Sequence, residues 1–264
     1  QTVTVTGIDD DIIDGTQTTT ITIAVIDAIS DNAFDSVSNQ TVSVATTDDD
    51  VAGFTIAESG GSTSVDESGT TDSFTIVLDT QPSSDVVLSI SSADTGEATV
   101  TSLLTFTSAN WDTPQTVTVT GVDENFVDLD QTTEITASVL EVSSDDNFDS
   151  VSDQTVSVTT TDDDVAGFTI AETDGSTSVA ESGTTDTFTV VLEGRPITDV
   201  VLTISSADTG EATVTSSLTF TSANWDTAQT VTVTGVDDDI MDGTETTTLT
   251  VSVDDANLCS ILHL

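Results

Sequence analysis

From residue 51 to residue 164, apolar and polar residues alternate in short runs, and the period of the alternation is two. Phe54 and Ile56 share one face of the stretch 53–57; Phe74, Ile76 and Leu78 share one face of 72–78. The same holds for Val86, Leu88 and Ile90 in 85–91, Val117 and Val119 in 115–121, and Val156 and Val158 in 154–160. Successive side chains of a strand point to opposite faces, so each run predicts a strand with one buried face. A short strand at 98–100, trailed by Leu104 and Phe106, and another at 132–140 bring the set to about seven. Outward positions are mostly Thr or Ser, which suit an exposed pleated surface. No stretch carries apolar residues at helical spacing. Short strands joined by regularly spaced turns predict an all-β fold: seven-stranded antiparallel sandwiches of immunoglobulin-like type, without the Cys–Trp–Cys pattern of antibody domains.

The alternation itself recurs. Trp225 follows Trp111 by 114 residues, and the same step separates Gln229 from Gln115, Gln115 from Gln1 and Asp164 from Asp50. Residues 165–228 match 51–114 without gaps at about four positions in five, and 115–164 match 1–50 less closely. The expected organisation is a tandem array, beads on a string with a 114-residue repeat. One complete repeat occupies 51–164, preceded by the C-terminal part of another at 1–50 and followed at 165–257 by one lacking its last strand. Residues 258–264 fall outside the repeat, hold Cys259 and His263, and read as a feature of the sequence's end. Broken repeats at both ends are expected of a piece cut from a longer array.

Charge changes the picture most. The chain has 48 acidic side chains and one basic one, Arg195, for a net charge of -47. Such a surface repels nucleic acid and acidic membranes, and no apolar run approaches the roughly 18 residues of a membrane span. Catalysis needs a nucleophile with a base, or acids tuned apart. There is no Lys, the one His lies in the tail, and the acids sit at repeated junctions and not in one cleft, so no enzyme is expected.

The acids cluster. Asp162, Asp163 and Asp164 close one repeat as Asp48, Asp49 and Asp50 close the one before. If successive strands run antiparallel, Glu67, Asp94, Asp123 with Glu124 and Asp128, and Asp162–Asp164 all fall at one end of the sandwich. Unit charges about 4 Å apart repel by about 4 kcal/mol at an effective dielectric near 20, so this convergence calls for a cation. Calcium takes about 6–8 oxygen ligands from carboxylates, carbonyls and water. Zinc is disfavoured because the repeat lacks His and Cys, and magnesium demands a tighter octahedron than flexible loops provide. At the other end, Asp145-Asp146-Asn147-Phe148-Asp149 reads equally as a second calcium turn or as an Asx-rich turn anchored by Phe148.

These residues resemble the Calx-beta family. The resemblance rests on the early Glu in Val65-Asp66-Glu67-Ser68-Gly69, a Val-Thr-Val-Thr-Gly strand running into an acidic hairpin, and a closing Thr-Asp-Asp-Asp. The hairpin reads Asp9-Asp10-Asp11-Ile12-Ile13-Asp14-Gly15 in the first repeat and Asp237-Asp238-Asp239-Ile240-Met241-Asp242-Gly243 in the third. The resemblance implies a seven-stranded sandwich with calcium at the domain end, and tandem arrays in bacterial surface and adhesion proteins. Its implied ligands are Glu67, Asp94, Asp123, Glu124, Asp128, Asp162, Asp163 and Asp164 in the complete repeat. In the third repeat they are Glu181, Asp208, Asp237, Asp238, Asp239 and Asp242; in the first, Asp9, Asp10, Asp11, Asp14, Asp48, Asp49 and Asp50. The middle hairpin departs from the pattern, with Asp123-Glu124-Asn125 where its neighbours carry three Asp.

The leading expectation is a secreted, extracellular structural protein of a microbial surface: a calcium-rigidified stalk, adhesin or filament subunit. Its partners would be calcium ions, neighbouring repeats and, through strand addition between broken ends, other copies of itself in a head-to-tail filament. Two readings stay open beside it. One is a glycan- or surface-binding module, against which Trp111 and Trp225 recur in identical Ser-Ala-Asn-Trp-Asp contexts, as a structural turn would. The other is a halophile's acidic protein without specific calcium sites, which predicts scattered acids instead of clustered ones.

Overall fold

A computed structural model describes residues 1–237 and 243–254, which form two compact units. Asp238, Asp239, Asp242 and the tail with Cys259 and His263 lie outside the described residues. The first unit comprises Gln1–Val65, Gly69–Val122 and Thr132–Thr160; the second comprises Asp66–Ser68, Asp123–Gln131 and the described residues from Thr161 onward.

In the first unit, β1 (Gln17–Ile23) and β2 (Gln40–Thr46) form an antiparallel pair. Nine further strands follow in the middle repeat: β3 (Phe54–Glu58), β4 (Thr63–Asp66), β5 (Thr71–Leu78), β6 (Val86–Ser92), β7 (Ala98–Val100), β8 (Leu103–Phe106), β9 (Gln115–Gly121), β10 (Gln131–Val139) and β11 (Gln154–Thr161). They make two sheets, ordered β3-β5-β9-β7 and β4-β11-β10-β6-β8. The seven expected strands are all present, and two short ones join them. One is the Leu104–Phe106 segment, which pairs with β6. The other is β4, where Thr63 and Val65 turn inward and Ser64 outward.

The two-residue period is what builds the core. Phe74, Ile76 and Leu78 of β5, Val86, Leu88 and Ile90 of β6, and Val117 and Val119 of β9 are all buried between the sheets. Each such side chain stabilises the fold by about 1.5–3 kcal/mol relative to exposure. Trp111 packs against this core, and its carbonyl accepts the Leu78 N–H at 3.1 Å. The Asn110 side chain caps the same turn by accepting from the Thr107 amide and hydroxyl. The tryptophan turn is therefore structural.

Register fixes where the loops emerge. The pairs Thr71↔Thr120, Ala98↔Gly121 and Ile135↔Ser92 place the starts of β5, β7 and β10 and the ends of β6 and β9 together. The Thr160 hydroxyl reaches the Glu97 carbonyl, bringing the end of β11 to the same place. The loop between β10 and β11 leaves elsewhere. There Asp145 is buried, and its carboxylate accepts from the amides of Ser83, Ser84 and Asn147 and from the Ser83 hydroxyl. Phe148 is fully buried beside it. Of the two readings of this turn, the Asx turn anchored by Phe148 is the one the hydrogen bonds satisfy.

The second unit repeats the plan with β12 (Phe168–Glu172), β13 (Thr185–Leu192), β14 (Val200–Ser206), β15 (Ala212–Val214), β16 (Ser217–Phe220), β17 (Gln229–Gly235) and β18 (Leu249–Val253). Its sheets are ordered β12-β13-β17-β15 and β16-β14-β18, around a core of Phe188, Val190, Leu202, Ile204, Phe220, Val231 and Val233. Among the described residues β4 and β11 have no strand counterpart here.

Candidate metal centre

The centre is assembled in the second unit from three segments: Glu67, the hairpin carrying Glu124 and Asp128, and the triplet Asp162–Asp164. The Glu67 N–H donates to the Thr161 carbonyl at 3.2 Å, which fixes the backbone where the chain leaves β4. Asp66 stabilises the same turn, accepting from the Ser68 amide and the Thr161 hydroxyl; bonds from Ser68 hold its carboxyl below the usual range. With Asp66 occupied as a turn acceptor, Glu67 is the residue turned inside. It is 0% exposed, and its carboxylate oxygens receive no well-formed hydrogen bond; the Asp163 amide lies near enough to lower its carboxyl only slightly.

Asp162 stitches triplet to hairpin. One of its oxygens accepts from the amides of Asp128 (3.1 Å) and Leu129 (2.8 Å), the other from the Asp164 amide (2.8 Å). Leu129 takes a positive φ of 69° to present its N–H in this way, a conformation few non-glycine residues adopt. The first repeat uses the same stitch at the relaxed residue type: Gly15, with φ 69°, donates to Asp48 at 2.6 Å, and Asp50 donates to Asp48 at 2.9 Å.

Two groups of three carboxylates result, each with ligand oxygens all within 4.8 Å of one another: Glu67, Asp163 and Asp164, and Glu67, Glu124 and Asp128. Glu67 is common to both. Oδ1 of Asp128 and Oδ2 of Asp164 are, like both oxygens of Glu67, buried without a well-formed hydrogen bond. The electrostatic result is strain. Burial, then the charges of Asp162, Glu124 and Asp128, push the Glu67 carboxyl from 4.5 to about 7, with the Asp163 amide countering only weakly. Burial and the charges of Asp162, Asp163, Asp123 and Asp128 raise Asp164 as well. Buried polar groups are normally satisfied, so four such carboxylate oxygens gathered together set this place apart from the other acids. The donors are all oxygen, which suits a hard divalent cation and not zinc.

The other expected ligands divide. Asp123 is exposed but near enough to raise Asp164. Asp94 is exposed, and its carboxylate caps its own turn by accepting the Gly96 N–H at 2.8 Å; Asp208 does the same with Gly210 at 2.9 Å. In the first unit Asp9, Asp10, Asp11, Asp14 and Asp49 are exposed, while Asp48 and Asp50 are half-buried. Burial, then Asp48, Asp11, Asp49 and Asp9, raise the Asp50 carboxyl, so the same charges gather there in a more open form. Glu181 is half-buried and Asp237 exposed, and neither joins a carboxylate group among the described residues. Glu97, not among the expected ligands, is half-buried in the first unit with its Oε2 shut off from solvent. Its signal in the sequence is its place after the Asp94-Thr95-Gly96 turn.

No family model matches the sequence, and no curated protein matches it. Solved structures do resemble it loosely. A crystal structure of CBD12 from CALX1.2 is 15% identical, with 75% of this chain and 79% of that one covered and a TM-score of 0.31. Domains 4–9 of the surface layer protein SbsC are 21% identical over 82% of this chain and 31% of that one, at 0.31. The E. coli chaperone DraB is 9% identical over 64% of this chain and 87% of that one, at 0.32. All three scores lie well below 0.5, so these likenesses do not bear on what the chain binds.

Proposed function

We propose that the chain is a structural repeat protein in which calcium, held by Glu67, Glu124, Asp128, Asp163 and Asp164 and positioned by Asp162, consolidates the loops at the end of a sandwich. The observation that carries this reading is Glu67: fully buried, without a well-formed hydrogen bond to its carboxylate, and surrounded by like charge. A carboxylate in that state is destabilising unless a cation joins it. Calcium supplies the charge and accepts an irregular all-oxygen shell; the residues supply a buried acid, a hairpin and a triplet already stitched together. Asp9, Asp11 and Asp48–Asp50 are read as the corresponding acids of the first repeat, where the same charges raise Asp50. The setting that fits is extracellular, on a microbial surface, where calcium is abundant and a chain of net charge -47 stays soluble.

The test is thermal melting of the protein in excess chelator, followed by back-titration with calcium and separately with magnesium. An ion that binds only the folded state raises the melting temperature by mass action. Calcium is expected to raise it and magnesium to raise it less. No shift with either ion would defeat the reading.

A further inference from the structure

Two copies of a repeat within one chain show where the sequence has been free to change and where changes go together. Between 51–114 and 165–228, 13 of 64 aligned positions differ, and five of those fall within the six positions 79–84 and 193–198. The hairpins behave likewise. Residues 1–7 and 115–121 are identical, whereas seven of the next ten positions, 8–17 against 122–131, differ. The two variable loops are in contact. In the first unit the Gln81 N–H donates to the Asp11 carbonyl at 2.7 Å, and Ile12 bridges Gln81. In the second unit the Arg195 N–H donates to the Asn125 carbonyl at 2.7 Å, the Val127 N–H to the Arg195 carbonyl at 3.1 Å, and Phe126 bridges Arg195.

The backbone contact is thus shared, and the side chains make each version distinct. Gln81 Nε2 donates to the Ser108 carbonyl at 2.7 Å, and Arg195 Nε donates to the equivalent Ser222 carbonyl at 3.0 Å. From that shared perch the guanidinium reaches over the Phe126 ring, 4.1 Å from its centroid. The attraction needs an aromatic face, which Ile12 in the first hairpin lacks. One residue earlier, Thr80 is buried, whereas a Cβ at its counterpart Gly194 would run into the Val127 side chain.

We propose that hairpin and loop form a matched recognition pair, in which the Phe126–Val127 hairpin selects a following repeat carrying Gly194–Arg195 and the Ile12–Ile13 hairpin selects one carrying Thr80–Gln81. The partner surface is the loop of a neighbouring repeat, and its chemistry is a stacked cation beside a glycine in one case and an uncharged amide beside a threonine in the other. The pairing would set which repeat follows which in an array. None of these residues is a carboxylate, so the pairing stands apart from the calcium reading.

The experiment is a double-mutant cycle on the full chain, read by hydrogen exchange at the amides of Val127 and Arg195, both bonded across the contact. The loop swap carries Gly194→Thr and Arg195→Gln; the hairpin swap carries Phe126→Ile and Val127→Ile, since Asn125 contributes only its carbonyl. Every introduced residue type already occupies the equivalent position of this chain. Each swap alone is expected to speed exchange at the two amides about five- to tenfold, and the two together to return it to within about twofold of the original. Single swaps without effect, or a combined effect equal to the product of the two, would overturn the proposal. Protection at Phe188 and Val231 reports whether the sandwich still folds. Should Gly194→Thr abolish it, Phe126→Ile and Arg195→Gln are read in the same cycle, with smaller effects of about two- to fivefold. The cycle is run in chelator and in calcium. Failure of the calcium reading appears as an absent melting shift, and failure of the pairing as an additive cycle.

Discussion

Asp145 and Glu67 are both buried, at 4% and 0% exposure, and the chain treats them in opposite ways. Burial pulls the Asp145 carboxyl upward, but bonds from Ser83, Asn147 and Ser84 outweigh it and leave it below its usual value. Burial pulls Glu67 upward too; there Asp162, Glu124 and Asp128 push the same way, and it reaches about 7. Burial alone therefore does not separate a structural acid from a ligand. The distinction lies in what surrounds the oxygens. A carboxylate ringed by N–H and O–H donors is held in its charged form, and one ringed by carboxylates is pushed toward a proton or, on the proposed reading, a cation.

The contrast can be broken by removing each acid in turn. Asp145→Ala should cost the most, about 3 kcal/mol, because it strands four donors at once, and the loss should be the same with and without calcium in denaturant unfolding. A loss that calcium repairs would make Asp145 a ligand after all. Calcium at a hundred times its dissociation constant should stabilise the native chain by about 2.7 kcal/mol. Glu67→Gln should remove most of that gain, while leaving the metal-free protein as stable as before or more so, since a buried charge among like charges is gone. An undiminished calcium shift in Glu67→Gln would erase the difference between the two acids.

Opposite pH slopes sharpen the same comparison. In the metal-free folded state Glu67 keeps a proton that the unfolded chain has already released between pH 4.5 and about 7, so its contribution falls as pH rises through that window. Asp145, depressed below 3.8, contributes stability above that pH and loses it as pH falls further. Melting in chelator should show both slopes, with Glu67→Gln flattening only the upper one and Asp145→Asn only the lower. The smallest effect is expected from Asp94→Asn, less than about 0.5 kcal/mol, because the substituted side chain keeps an oxygen for the Gly96 amide. A calcium shift that shrinks with Asp94→Asn would extend the ligand set to that loop.

Much of the fold is legible in the sequence because its code is local. Phe74, Ile76 and Leu78 alternate with Thr75 and Val77, and a strand with one buried face follows whatever lies across the sheet. The parity of the strands likewise foretold which loops leave together. Less legible was β4. Thr63-Ser64-Val65-Asp66 has one large apolar residue and no periodicity to read, and it becomes a strand through its place beside β11 in the sheet. Nor does the sequence tell Asp66 from Glu67, two adjacent acids of which one caps a turn and the other is shut inside.

The sequence by itself determined the all-β class, the 114-residue period, the inward faces and the crowding of acids at one set of loops, since periodicity and charge are properties of neighbouring residues. Only the tertiary structure decided which acids are satisfied and which are orphaned. Asp66 and Glu67 make the point side by side: the first accepts from the Ser68 amide and the Thr161 hydroxyl, and the second is shut inside among like charges. Strand pairing and carboxylate burial both depend on groups far away in the chain, and a local pattern carries no information about whether those groups arrive.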